Sequence, residues 1–223
     1  MKQLYAVVAL AWLALLISPE PASAQATYSL VVSRHPSVQF GEDQVDSILA
    51  AASRMIQIAH KPNNLSCNVT LKRSGQIRPF ASPNTPAVIN NAQDRDAVHR
   101  ENFDSNVVNV KVVDQILFCR KVPGNPGTGV FRGCSWPEDF RSIIVTASAK
   151  QPELVWPHEF GHQTGLWHRT DDASHTVLMS PCPLSASNVQ VTQDECDCLQ
   201  KGPGGCHPPE PNPRAACASS RRQ

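Results

Sequence analysis

A chain of 223 residues, 41% hydrophobic and 17% charged, can bury the core of one globular domain and is too short for a large multidomain assembly. Twenty Lys and Arg against nineteen Asp and Glu leave a formal charge of +1, which excludes capture of nucleic acid or an anionic membrane by a strong field of one sign. Eight cysteines, an even number, favour disulfides if the chain reaches an oxidising compartment.

Residues 1–24 supply the means of export. Lys2 precedes an apolar run over 4–17, and Pro19, Pro21 and Ala22-Ser23-Ala24 follow, the order of a signal peptide cleaved before Gln25. The run falls short of the ~20 residues that a membrane span needs, and no later segment reaches that length. The expected product is residues 25–223, secreted to an extracellular or periplasmic space, with no membrane anchor and as a monomer.

Residues 28–32 alternate and are rich in β-formers, which predicts a first strand. Residues 41–59 place Val45, Ile48, Leu49, Ala52, Met55 and Ile56 on one face at steps of three and four, with Glu42, Asp43 and Asp46 in the first turn: a long amphipathic helix. Val69, Leu71 and Ile77 predict a second strand or a hairpin around Ser74-Gly75, and 107–118 a third, strongly apolar strand. Between them, 79–106 reads as a polar surface excursion with one short helix near 93–100. The segment 124–133 is glycine-rich, and the continuous apolar run in 142–147 predicts a strand buried on both faces. Thr192 and Glu195 form a capping box that opens a last helix, and 201–223 is a Pro/Gly-rich, cysteine-containing tail.

Cys182, Cys196, Cys198, Cys206 and Cys217 all lie past residue 180, joining Cys67, Cys119 and Cys134, so the C-terminal part is expected to be stapled by disulfides. The pairing stays open. A structural zinc site on Cys196, Cys198, Cys206 and Cys217 is the competing reading, disfavoured by export and by the lack of x₂ spacings. Asn64-Leu65-Ser66 and Asn68-Val69-Thr70 are glycosylation sequons in a eukaryotic host.

The chemistry concentrates in 156–168, where His158, Glu159, His162, Gly165 and His168 satisfy H-E-x-x-H-x-x-G-x-x-H. On a helix, residues four apart lie about 6 Å apart along the axis and on one face, so His158 and His162 can reach one ion at ~2.0–2.1 Å. Glu159 lies to one side of the first histidine, suited to act as a general base. Gly165 ends the helix where a Cβ is tolerated least, and the chain turns back so that His168 can supply the third imidazole. Three neutral imidazoles leave a fourth position for water, the pattern of catalytic zinc. Pro157 is tolerated if the helix begins near Leu154; a start at Pro152 implies a kink over 153–157. His175 reads as a surface residue.

This motif resembles that of the metzincin clan of zinc endopeptidases. Val177-Leu178-Met179-Ser180-Pro181, eleven residues past His168, resembles the clan's methionine-containing turn beneath the metal, with Met179 as its methionine. The resemblance implies an α+β, metzincin-like zincin over 25–200: a twisted, mostly parallel sheet, two long helices, an active-site helix, the Met-turn and a disulfide-stapled C-terminal part. It implies one catalytic Zn²⁺ held by His158, His162 and His168, Glu159 as general base, a protein or peptide substrate, and a substrate-binding edge strand near 129–133. Arg169, which follows the third histidine, matches none of the clan's families, so subfamily and side-chain preference do not carry over. The two tyrosines, Tyr5 and Tyr28, precede the turn, so no tyrosine ligand follows it. No cysteine-switch latency motif and no D-x-[DN]-x-[DN]-G calcium loop occur. Two other readings stay open: a catalytically silent zinc-binding or adhesion protein on this fold, and a metal-dependent hydrolase of a non-peptide bond.

Overall fold

The computed structural model describes residues 25–58, 67–120, 127–136, 139–169, 176–180 and 189–206. The expected signal peptide, Asn64, His175, Cys182, Cys217 and the tail past 206 lie outside them. In chain order the elements are β1 (Ala26–Arg34), α1 (Glu42–Ile58), β2 (Val69–Arg73), β3 (Arg78–Pro79), β4 (Val88–Ile89), α2 (Ala92–Arg100), β5 (Val108–Val113) and β6 (Gln115–Phe118). These are followed by β7 (Thr128–Phe131), β8 (Gly133–Trp136), β9 (Asp139–Thr146), α3 (Pro152–Gln163), β10 (Thr176–Val177), β11 (Val189–Gln190) and α4 (Gln193–Lys201).

The main sheet runs β2-β1-β5-β9-β8, with β3 beside β1 on the β2 edge. Pairings among β1, β2, β3, β5 and β9 are parallel, and β8 closes the far edge antiparallel to β9. The chain is therefore α+β with a mostly parallel mixed sheet. The alternatives around Ser74-Gly75 resolve as one interrupted edge: β2 and β3 both follow β1, and Gly75 makes the break at φ +70°.

Alternation along β5 sorts the two faces. Val108, Val110 and Val112 join Leu30, Val32, Ile143 and Val145 against α1 and α3, whose Ile48, Leu49, Ile56, Trp156 and Phe160 complete the larger core. On the opposite face Val113 and Ile144 meet Phe80, Ile89 and Val98 from the 79–106 excursion. The excursion is thus the cover of the second face, and it carries the short helix α2, capped by Asn91 accepting from Asp94 N–H at 2.9 Å.

The single strand expected over 107–118 is two. Asp114 and Gln115 both donate their N–H to Ala87 O, at 2.9 and 3.3 Å, which breaks the ladder after Val113. β6 then leaves the main sheet and joins β4 and β7 in a small one. The same division affects the expected substrate strand 129–133: most of it is β7, paired with β6, while the open edge of the main sheet is β8.

Three disulfides occur among the described residues: Cys67–Cys196, Cys119–Cys134 and Cys198–Cys206. The four-cysteine zinc reading is excluded, since three of its members, Cys196, Cys198 and Cys206, are oxidised. α4 carries the full capping box of Thr192 and Glu195. Its far end is tied to the sheet by Tyr28 Oη–H donating to Gln200 O at 2.6 Å, and the domain boundary expected at 200 falls within its last turn.

Candidate metal centre

α3 starts at Pro152, the earlier of the two expected positions, where a missing N–H costs nothing because the first turn has no internal acceptors. Pro157, further in, leaves the carbonyl of Glu153 without its helical donor. Nine residues of α3 from Leu154 on are buried, Val155 excepted, so the helix is held by packing on both sides rather than by an amphipathic stripe.

The helix ends in a Schellman turn. Gly165 N–H donates to His162 O and Leu166 N–H to Gly161 O, each at 3.0 Å, with Gly165 at φ +101°. A Cβ at Gly165 would also overlap the carbonyl oxygen of Cys206. That carbonyl belongs to the segment after α4, which returns to cap the helix: Gly204 N–H donates to Gln163 O at 2.8 Å and Cys206 N–H to Thr164 O at 2.9 Å.

This reversal brings the three histidines together. His168 Nε2 stands 3.2 Å from Nε2 of His158 and 3.2 Å from Nε2 of His162. His158 Nδ1 lies 2.7 Å from Leu178 O, and His162 Nδ1 lies 2.7 Å from Leu166 O. A carbonyl oxygen only accepts, so both Nδ1 atoms carry the proton and both Nε2 atoms present a lone pair. Burial holds the pKa of His158 below the ordinary imidazole value and that of His162 well below it, the latter with help from the other two histidines. Burial, then His158, brings His168 down to about 3. All three are neutral at neutral pH.

The donor set fits a metal ion. Bonds of ~2.0–2.1 Å at tetrahedral angles put neighbouring nitrogens about 3.3 Å apart, close to the observed 3.2 Å. His158 and His162 are buried and His168 is partly exposed, so the triad reaches solvent on that side. It is a cluster that could hold a metal ion.

Glu159 lies against the sheet edge. Ser135 Oγ is 2.7 Å from Glu159 Oε2 and 2.9 Å from Glu159 O, so one hydroxyl touches both the carboxylate and the backbone of the same residue. Gly133 leaves the space the side chain fills: a Cβ there would overlap Glu159 Oε1 and stand 2.6 Å from Cγ. Burial pushes the Glu159 carboxyl up to about 8, against the pull of the Ser135 hydrogen bonds.

Met179 packs beneath the helix between the two histidines, where a Cβ at Gly161 would overlap its sulfur. Its carbonyl accepts from Arg169 N–H at 2.8 Å, which joins the turn to the segment carrying His168. The Arg169 guanidinium stands 3.4 Å from Asp194 of α4. Sequence spacing singled out His158, Glu159, His162, Gly165, His168 and Met179; it placed Gly133 only in the expected substrate strand, and it passed over Ser135, Gly161 and the carbonyls of Leu166 and Leu178, which carry no motif of their own. Glu195 was visible only as a helix cap.

No family model matches the chain, and no curated protein matches it. Among solved structures it is similar to metalloproteinase-II from Bacteroides fragilis, at 15% identity and a TM-score of 0.43, over 82% of this chain and 56% of that one. The chain spans little more than half the length of that protein. A likeness this distant carries no weight for function, which rests on the atoms of the site.

Proposed function

We propose that the chain is a secreted zinc-dependent endopeptidase of metzincin type. The observation that carries this reading is the convergence of three neutral Nε2 atoms, two of them 3.2 Å from the third, beside the buried carboxylate of Glu159. His158, His162 and His168 would hold the ion, and Met179 supports the helix beneath them. Zinc, when bound, supplies a Lewis acid for a scissile carbonyl and lowers the pKa of water towards ~7. With the charge of the ion beside it to hold the buried carboxyl ionised, Glu159 would take the proton from water and pass it to the leaving amine, and Ser135 keeps its carboxylate in place.

Residues 25–200 are assigned to the catalytic domain and 201–223 to the tail, with protein or peptide as substrate and a monomer as the working form. Export is supported by the signal-like residues 1–24 and by six described cysteines that are all oxidised. Among the described residues no helix is long and apolar enough to cross a membrane.

Two substitutions separate the roles. Glu159→Ala should keep one zinc per chain and lose casein hydrolysis by a factor of at least ~10², whereas His162→Ala should lose the zinc itself. Metal analysis beside a turnover assay reads both. A Glu159→Ala chain that still cleaves casein at the wild-type rate would end the assignment. A zinc-loaded wild type that cleaves nothing would favour the silent binding protein.

A further inference from the structure

A capping box asks its glutamate for one hydrogen bond, from the N-cap N–H. Glu195 makes that bond with Oε2, accepting from Thr192 N–H at 2.8 Å, and spends Oε1 elsewhere: it accepts from Met179 N–H at 2.9 Å, sixteen residues earlier in the chain. The peptide group that donates is the Leu178–Met179 unit, and the carbonyl at its other end accepts from His158 Nδ1 at 2.7 Å. One planar amide therefore has a carboxylate at its N–H and an imidazole at its C=O. Glu195, Leu178 and Met179 are each 0% exposed, so water does not compete at either end.

We infer that Glu195 is a positioning residue for the metal centre, acting on His158 through the Leu178–Met179 peptide. This rests on the proposed zinc reading. An anion at the N–H end polarises the amide and makes its carbonyl a stronger acceptor. That fixes the His158 ring with Nε2 towards the ion and raises the donor strength of Nε2, the effect carboxylates have when they contact a ligating histidine directly. The same bond holds Met179 at the height where its sulfur meets Gly161. His162 provides an internal contrast: its Nδ1 bonds Leu166 O, whose peptide continues to Trp167 rather than to the turn held by Glu195.

The test is zinc affinity, by competition with a chromophoric chelator, together with proton NMR of the imidazole Nδ1–H signals in the zinc-loaded protein. Glu195→Gln should weaken zinc binding about tenfold or more and move the His158 signal upfield while leaving that of His162 in place. Thr192→Ala removes the hydroxyl half of the capping box and should lower the melting temperature without either effect. If Glu195→Gln does not fold, the same measurements on Glu195→Asp, which keeps the charge but draws it back from the Met179 N–H, decide: the same two effects are expected, and their absence would overturn the inference. Wild-type affinity in Glu195→Gln, an equal zinc loss in Thr192→Ala, or an unshifted His158 proton would overturn the inference. Because these readouts register zinc and not turnover, a chain that shows them and cleaves no peptide would keep the relay and lose the peptidase reading. A peptidase whose zinc ignores Glu195 would do the reverse.

Discussion

Gly133 and Glu159 share one small volume on two different elements, and this governs the candidate general base. The space a side chain at 133 would need is filled by the Glu159 carboxylate, which Ser135 secures from two positions further along β8. Gly133 has no left-handed backbone, so alanine there is unfavourable only through that overlap. Gly133→Ala should displace the carboxylate and lower casein turnover by about 10²-fold, the scale of an ångström's misplacement, with zinc content unchanged. Zinc lost in step with turnover would mean that the ligands had moved instead. The three histidines were legible because helix geometry converts a four-residue spacing into a shared face and glycine at 165 allows the reversal. Ser135 was not legible, because its contact with Glu159 exists only once β8 crosses α3. Glu195 was half legible: the capping signature is local, while the destination of its second oxygen is set by where the chain places Met179.

At the level of elements, the least predictable strand is β5. Its Val108, Val110 and Val112 read as a buried strand and are one, yet Lys111 between them is 0% exposed. The ammonium lies 3.2 Å from Ser33 Oγ on β1 and donates to the carbonyl of Glu101. The Glu101 carboxylate in turn accepts from Ala81 N–H at 2.6 Å and from the Thr85 hydroxyl. Lys111 thus fastens the excursion to the sheet. Burial lowers its pKa from 10.5 to about 8, with Glu101 opposing and Arg78 assisting. Between pH 8 and 10.5 the unfolded chain therefore holds more of this proton than the folded one, and stability gains from rising pH across that window, by on the order of 3 kcal/mol in total. In urea titrations the stability of the wild type relative to Lys111→Met should climb from pH 8 to 10.5. A difference that stays level would show that Lys111 is not desolvated as described. The run over 107–118 looked continuous because hydropathy does not register Ala87, whose carbonyl takes the two N–H groups that end β5. The break is a tertiary event written on a locally unbroken pattern.

Across the whole molecule, α4 and the residues just after it hold the site shut from behind. The Cys67–Cys196 bridge ties this helix to the start of β2, Tyr28 holds its last turn, Glu195 holds the methionine turn, and 204–206 cap α3 under the Cys198–Cys206 bridge. The opening strands and the long first helix followed from periodicity, the α+β plan with a mostly parallel sheet was what the resemblance implied, and the crowding of cysteines past residue 180 foretold a stapled C-terminal part. Which cysteines pair could not be read, since the Cys67–Cys196 bridge joins residues 129 apart that meet only once α4 packs beside the start of β2. On the proposed reading, this framework presents a hydrolytic zinc centre. The most direct test is casein cleavage by the purified, oxidised chain before zinc removal, after chelation, and after return of one equivalent of zinc. Activity is expected first, then its loss, then its recovery at one zinc per chain; cleavage that survives complete removal of the metal would rule the zinc centre out as the hydrolytic site.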